Sequence, residues 1–185
     1  MQQIPAELDR RFRETAAARG LLDAAYDLVE SPVGTLLVGA TDRGVCRISY
    51  TPDPDALAAA IGPRVLRVPR RLDPVRRQLD EYFAGSRHAF DLDVDLHVPA
   101  FQEAVLRELA RVPYGELATY GELARRIGKP RAARAVGGAL NRNPVPIVLP
   151  CHRVVGADGS LTGFGGGLET KRFLLEHEGA LLQLP

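Results

Sequence analysis

TYGELARRIGKPRAARAVGGAL, residues Thr119 to Leu140, is the stretch on which the reading of the fold turns. Thr119 and Glu122 have the spacing of a capping box, so a helix is expected through Ile127. Gly128-Lys129-Pro130 stops that helix, and Pro130 is well placed to open a second one running to about Leu140. Two short helices across a three-residue break make a helix-turn-helix. In the second, Ala132, Ala133, Ala135, Gly137, Gly138 and Ala139 are too small to hold a neighbour away. That surface suits either tight helix packing or close approach to another molecule.

Charge favours the second use. Arg125, Arg126, Lys129, Arg131, Arg134 and Arg142 fall in one run without an acidic residue, although the whole chain carries a formal charge of only +1. A basic run is commonly a solvated face, but beside a helix-turn-helix it reads as a polyanion-binding surface. If about six such cations met phosphates, binding would fall roughly thousandfold between low and moderate salt.

Towards the amino end, Tyr26 to Glu30, Thr35 to Ala40 and Val45 to Tyr50 are expected as strands of an antiparallel meander, joined by the turns at 31–34 and 41–44. Pro54 to Ile61 and Pro74 to Phe83 are expected as helices. Phe90 to Leu96 alternates apolar and acidic residues, which predicts a half-buried strand with its acids facing solvent. After Val98-Pro99, Phe101 to Ala110 reads as an amphipathic helix with Phe101, Ala104, Val105 and Leu109 on its apolar face. The expected fold is α/β: an extension over 1–22, a small α/β lobe with an antiparallel sheet and helices over 23–97, and a mostly helical lobe over 98–185. Residues 1–22 read as either a docked helix or a loose tail.

Towards the carboxyl end, Pro150-Cys151-His152-Arg153 follows the apolar run Ile147-Val148-Leu149, read as the end of a short buried strand. A free cysteine there is either a small hydrophobe or a sheltered nucleophile. Adjacency to His152 does not decide between them, since neighbouring side chains in an extended segment point to opposite faces. The loop Gly156 to Gly167 carries six glycines in twelve residues, but it lacks the Gly-Lys-Ser/Thr ending of a nucleotide-binding loop.

A series of words in order supplies the decision: Phe101-Gln102, Val112-Pro113-Tyr114-Gly115-Glu116, Thr119-Tyr120-Gly121-Glu122-Leu123-Ala124, Ala133-Arg134-Ala135-Val136-Gly137, Asn143-Pro144, Pro150-Cys151-His152-Arg153 and Leu175-Glu176-His177-Glu178-Gly179. Over roughly eighty residues the chain resembles the catalytic domain of the O6-alkylguanine-DNA alkyltransferases, the methylated-DNA-protein-cysteine methyltransferases. The half before Phe101 matches in pattern more than in words. The resemblance implies single-turnover transfer of a methyl or larger alkyl group from guanine O6, with O4-alkylthymine left open, in double-stranded DNA to Cys151. It implies His152 as base through a bridging water, Glu178 as its orienter, Asn143 as the residue holding the turn, and Tyr120 near guanine N3 and the target phosphate. Arg134 would fill the gap left by a flipped base, with Arg131, Ala133, Ala135 and Gly137 beside it on a helix in the minor groove. Leu140, Val154, Leu161, Phe164 and Gly165 would form the alkylguanine pocket under a glycine-rich lid. Some relatives have tyrosine and serine where this chain has Phe164 and Gly165, which implies a roomier pocket. Lys171 would serve loop or DNA contacts.

The chemistry needs no metal or organic cofactor, because sulfur is both nucleophile and final acceptor. Cys46 and Cys151 lie far apart in sequence, outside any Cys-x-x-Cys pair, so neither a disulfide framework nor a zinc site is expected, and Cys46 reads as a strand residue. No apolar run approaches a membrane span, and a cytoplasmic protein is expected. It is expected to act as a monomer, with cooperative assembly on DNA left open. Three other readings stand: a non-catalytic alkyl-lesion-binding protein, a helix-turn-helix regulator and a Cys-His hydrolase.

Overall fold

The computed structural model describes residues 5–183 and divides the chain into two compact units, Met1–Leu79 with Leu92–His97, and Asp80–Asp91 with Val98–Pro185. In the first unit, helix α1 (Ala6–Ala18) is laced by ion pairs of Arg10 with Glu7 and Glu14 and of Arg13 with Asp9. It is docked: Ala16 is buried, Arg71 donates to the Ala17 carbonyl, and Arg70 lies 3.7 Å from Glu14. Of the two readings of the extension, the docked helix is the one found; residues 1–4 lie outside the described residues.

Strands β1 (Ala24–Val29), β2 (Leu36–Thr41) and β3 (Gly44–Ser49) form the expected antiparallel meander. Gly44 is required at its turn, because a Cβ there would lie 2.4 Å from the Asp93 carbonyl oxygen and its φ is 140°. Helix α2 (Pro54–Ile61) is capped by the Asp53 carboxylate, which accepts from the Ala56 amide at 3.0 Å, with Pro54 in its first turn. It places Leu57 over Ala24, Leu37 and Cys46. Burying that one leucine is worth about 1.5–3 kcal/mol. Strand β4 (Val65–Arg67), absent from the sequence reading, pairs parallel to β1 and completes the order β3-β2-β1-β4. With three residues, it is too short to show an alternating pattern. Helix α3 (Asp73–Phe83) follows.

Phe90 to Leu96 corrects the expectation of a strand with solvent-facing acids. One bridge, Val45 to Val94, is formed, and Asp95 is buried. Its carboxylate accepts from Thr41, Arg43 and His97, so the period-two pattern includes an acid that ties a turn rather than facing water.

In the second unit, helix α4 (Ala100–Leu109) buries Gln102, Val105, Leu106 and Leu109. The predicted face was therefore rotated: Ala104 is exposed and Phe101 is half-buried. Gln102 is inside because its amide donates to the carbonyls of Ala139 and Arg142, at the end of a neighbouring helix. Strand β5 (Ala118–Thr119) leads into helix α5 (Tyr120–Arg126), whose capping box is complete: Thr119 Oγ1 accepts from the Glu122 amide, and Glu122 accepts from the Thr119 amide. Gly128, with φ 71°, closes α5 in a Schellman motif through bonds from Gly128 to Arg125 and from Lys129 to Ala124. Helix α6 spans Ala133–Asn141, beginning three residues later than predicted. Pro130 sits instead in a turn closed by the Ala132 amide on the Lys129 carbonyl. Strand β6 (Val154–Val155) pairs parallel to β5, and helix α7 (Gly167–His177) follows the glycine-rich loop. Among the described residues no helix is long and apolar enough to cross a membrane.

Candidate active site

The segment entering Cys151 is a series of turns, not the strand end that its apolar run suggested. Leu149 donates to the Val145 carbonyl, and Ile147 is held at φ 74°, an unfavourable conformation for a β-branched residue that costs about 1–3 kcal/mol. Asn143 ties this turn at both ends. Its amide nitrogen donates to the Leu149 carbonyl at 2.8 Å, and its side-chain oxygen accepts from the Val145 amide at 3.1 Å. Pro150, at φ −83° and ψ 64°, makes an inverse γ-turn closed by the Cys151 amide on the Leu149 carbonyl. Cys151–Arg153 then form one turn of 3-10 helix. The opposite-face argument for an extended Cys-His pair does not apply to that conformation.

Cys151 and His152 are buried, His152 completely. The His152 Nε2 and Glu178 Oε1 atoms are 2.8 Å apart. An ionised carboxylate only accepts, so the proton lies on Nε2 and the lone pair of the neutral ring is at Nδ1. Nδ1 is buried and has no hydrogen-bond partner among the described residues. Glu178, at the end of α7, also accepts from Arg153 at both oxygens, 2.8 and 3.0 Å, from the Tyr82 hydroxyl at 2.7 Å and from the Gly115 amide at 3.3 Å. Arg153 further donates to the Val112 carbonyl at 2.6 Å. Lys171, fully buried, donates to the carbonyls of Val154 at 2.6 Å and Thr162 at 2.9 Å, straddling the glycine-rich loop. That placement gives Lys171 the loop role and takes it away from direct DNA contact.

Electrostatics follow from burial. Burial pushes the Cys151 thiol up to about 11, against a hydrogen bond from Asn143 and the charge of Lys171, both of which favour thiolate. It pushes Lys171 down to about 8. It also lowers His152, with Glu178 pulling the other way, so the imidazole rests neutral. For Glu178, burial alone would raise the carboxyl, but the hydrogen bonds and charges of His152 and Arg153 outweigh it and hold the group well below the usual carboxylate range. The arrangement is a sheltered thiol, an oriented neutral base and a cation that favours sulfur anion.

A cleft of about 520 Å³ is lined by Tyr120 and Gly121 of α5, Ala133, Arg134, Gly137 and Asn141 of α6, and Ala157, Thr162 and Gly163 of the loop. The Tyr120 hydroxyl donates to the Thr162 carbonyl at 3.3 Å, and a Cβ on Gly137 would lie 3.6 Å from its ring. Helix α6 has no side-chain cap and no acid in its first turn, so its leading amides and dipole favour an anion there. Arg131, Arg134 and Ala135 are exposed. The proposed pocket residues do not line this cleft: Leu140 and Val154 are core residues, Leu161 and Phe164 are half-buried, and Gly165 is exposed on the loop. Sequence reasoning gave no role to Tyr82, Arg153 or Asn141, whereas Ala157, Thr162 and Gly163 belong to the loop expected as the lid. Only Arg153, inside the Cys-His word, carried a signal.

Comparison with known proteins accords with this geometry. The family model "6-O-methylguanine DNA methyltransferase, DNA binding domain" matches residues 100–180, and "6-O-methylguanine DNA methyltransferase, ribonuclease-like domain" matches residues 24–96. The methylated-DNA–protein-cysteine methyltransferase of Methanosarcina barkeri is 41% identical over 160 residues, covering 83% of this chain and 96% of its own. That of Mycobacterium bovis is 41% identical over 165 residues, covering 83% and 91%. The crystal structure of Mycobacterium tuberculosis OGT in complex with DNA has a TM-score of 0.76 at 38% identity, covering 87% of this chain and 95% of that one. The match spans both halves, and the chain carrying Cys151 belongs to the 6-O-methylguanine-DNA methyltransferase family.

Proposed function

We propose that the protein repairs DNA by moving a methyl or other alkyl group from guanine O6 in a duplex onto Cys151, once per molecule. The observation that carries this reading is the buried Glu178–His152 bond of 2.8 Å beside Cys151 on one 3-10 turn. His152 Nδ1 takes the thiol proton through a water, and Asn143 and Lys171 favour the thiolate. Sulfur attacks the alkyl carbon; the S–C bond forms as the C–O6 bond breaks, and the guanine leaves as an anion that recovers a proton from the imidazolium side. A thioether is a poor leaving group, so no second step frees the sulfur.

O6 lies inside the stacked duplex, so the nucleotide must leave the stack at a cost of a few kcal/mol. Arg134 fills the gap, because a planar guanidinium both stacks and donates, while Tyr120 meets the target phosphate and guanine N3. Helix α6 enters the minor groove, with Arg131, Ala133, Ala135 and Gly137 against the backbone. By the resemblance, Leu140, Val154, Leu161, Phe164 and Gly165 belong to the pocket for the flipped base, beside the cleft and under the glycine-rich loop. The protein works in the cytoplasm as a monomer.

Cys151→Ala is the test. The variant is expected to bind an O6-methylguanine duplex about as well as the parent while leaving the methyl group on the base, and peptide mapping of the parent is expected to place it on Cys151. A variant that still demethylates DNA overturns the acceptor assignment; a parent that binds the lesion without gaining mass favours a binding protein.

A further inference from the structure

Glu178 has two tasks that conflict. It must hold the His152 ring by accepting from Nε2, yet a bare buried carboxylate at 2.8 Å would draw a second proton onto that ring and leave no base for the thiol. The groups set against His152 are Glu178 and Lys171 from α7 and its end, Arg153 and Cys151 from its own turn, and the phenol of Tyr82 reaching Glu178 from α3; Tyr114 lies against Arg153. Glu178 is the anion among them. Arg153 quenches it from one side, at both oxygens. The Tyr82 hydroxyl reaches it at 2.7 Å, on Oε1, the oxygen that serves His152.

Tyr82 is fully buried, and its ring stands against Phe83, Phe90, Tyr114 and His177. Its carbonyl accepts from His177 Nε2 at 2.7 Å. These contacts belong to the ring and backbone and would survive loss of the hydroxyl. Packing therefore accounts for an aromatic ring at this position, and the hydroxyl serves only the carboxylate. Burial and the charge of Glu178 both drive the phenol away from ionising, so it stays a donor across the working pH range.

We infer that Tyr82 is a positioning residue whose hydroxyl takes up part of the Glu178 charge and so keeps His152 neutral and able to accept the thiol proton. The inference rests on the reading of His152 as base. Its sign is fixed: without the hydroxyl, Oε1 is a stronger acceptor and imidazolium is better stabilised, so His152 holds its extra proton to higher pH.

The test is Tyr82→Phe in the full chain, read by NMR titration of the His152 ring and by the pH dependence of Cys151 alkylation with free O6-alkylguanine base. The ring midpoint is expected to rise by about half to one pH unit, roughly three- to tenfold in proton affinity. The acid limb of the rate profile should move up with it, while the rate at high pH stays within about threefold of the parent. An unmoved midpoint, a uniform loss at every pH, or a ring neutral in both proteins down to acid unfolding overturns the inference. Should the parent take no alkyl group, the transfer reading falls, while the ring titration still decides the role of Tyr82. Should Tyr82→Phe not fold, 3-fluorotyrosine in place of tyrosine makes the phenol a stronger donor; the midpoint should then fall, and one that stays or rises refutes the role.

Discussion

At the scale of single residues, the site is a buried network of hydrogen bonds and ion pairs in which each group is set by its neighbours. Glu178→Gln leaves Arg153 buried without its anion, a loss worth about 3–5 kcal/mol that urea unfolding would read. Because the folded-state carboxyl is depressed, its contribution is fully present above the ordinary value of 4.5 and is lost as pH falls towards the folded value. The gap between parent and variant should therefore be widest near neutral pH and shrink below about 4.5. Lys171→Met removes the cation that favours sulfur anion, so the Cys151 thiol, already near 11, should rise further. Iodoacetamide labelling of Cys151 across pH should need a more alkaline solution in the variant. Labelling at an unchanged pH would mean that Lys171 serves only the loop.

Cys151, His152 and Asn143 were singled out by the resemblance that the series of words carries, since a cysteine beside a histidine decides nothing by itself. Tyr82 was given no role, and for Lys171 the resemblance offered loop or DNA contacts, between which only the folded loop decides by placing its ammonium on two carbonyls.

At the scale of elements, local chemistry was legible where one residue carries the signal. Asp53 and Pro54 start α2 at the predicted position, and Thr119 with Glu122 starts α5. Patterns failed where tertiary partners decide. Asp95 sits inside because Thr41, Arg43 and His97 satisfy it, and Gln102 rotates the face of α4 because the end of α6 needs donors. The late start of α6 puts Arg134 in its first turn, on the cleft with Tyr120. Arg134→Ala should slow alkyl transfer from a duplex at least about tenfold more than transfer from free O6-alkylguanine base, because only the duplex must be opened. Equal losses on both substrates in single-turnover kinetics would contradict the role of Arg134 in the opened stack.

At the scale of the whole molecule, chemistry is concentrated in the second unit. The first unit supplies a four-stranded sheet whose buried acids, Asp27 and Asp95, are each paired with arginine. Its overall pattern was legible as a meander, while β4 and the docked α1 depended on pairing and packing that local sequence does not encode. The most direct measurement is the stoichiometry: excess O6-methylguanine duplex is incubated with a counted amount of protein, and repaired guanine and intact protein mass are followed to completion. The account predicts a plateau at one repaired base per active molecule, with one methyl on Cys151. Continued repair beyond that plateau, or a completed reaction with Cys151 unmodified, would contradict it.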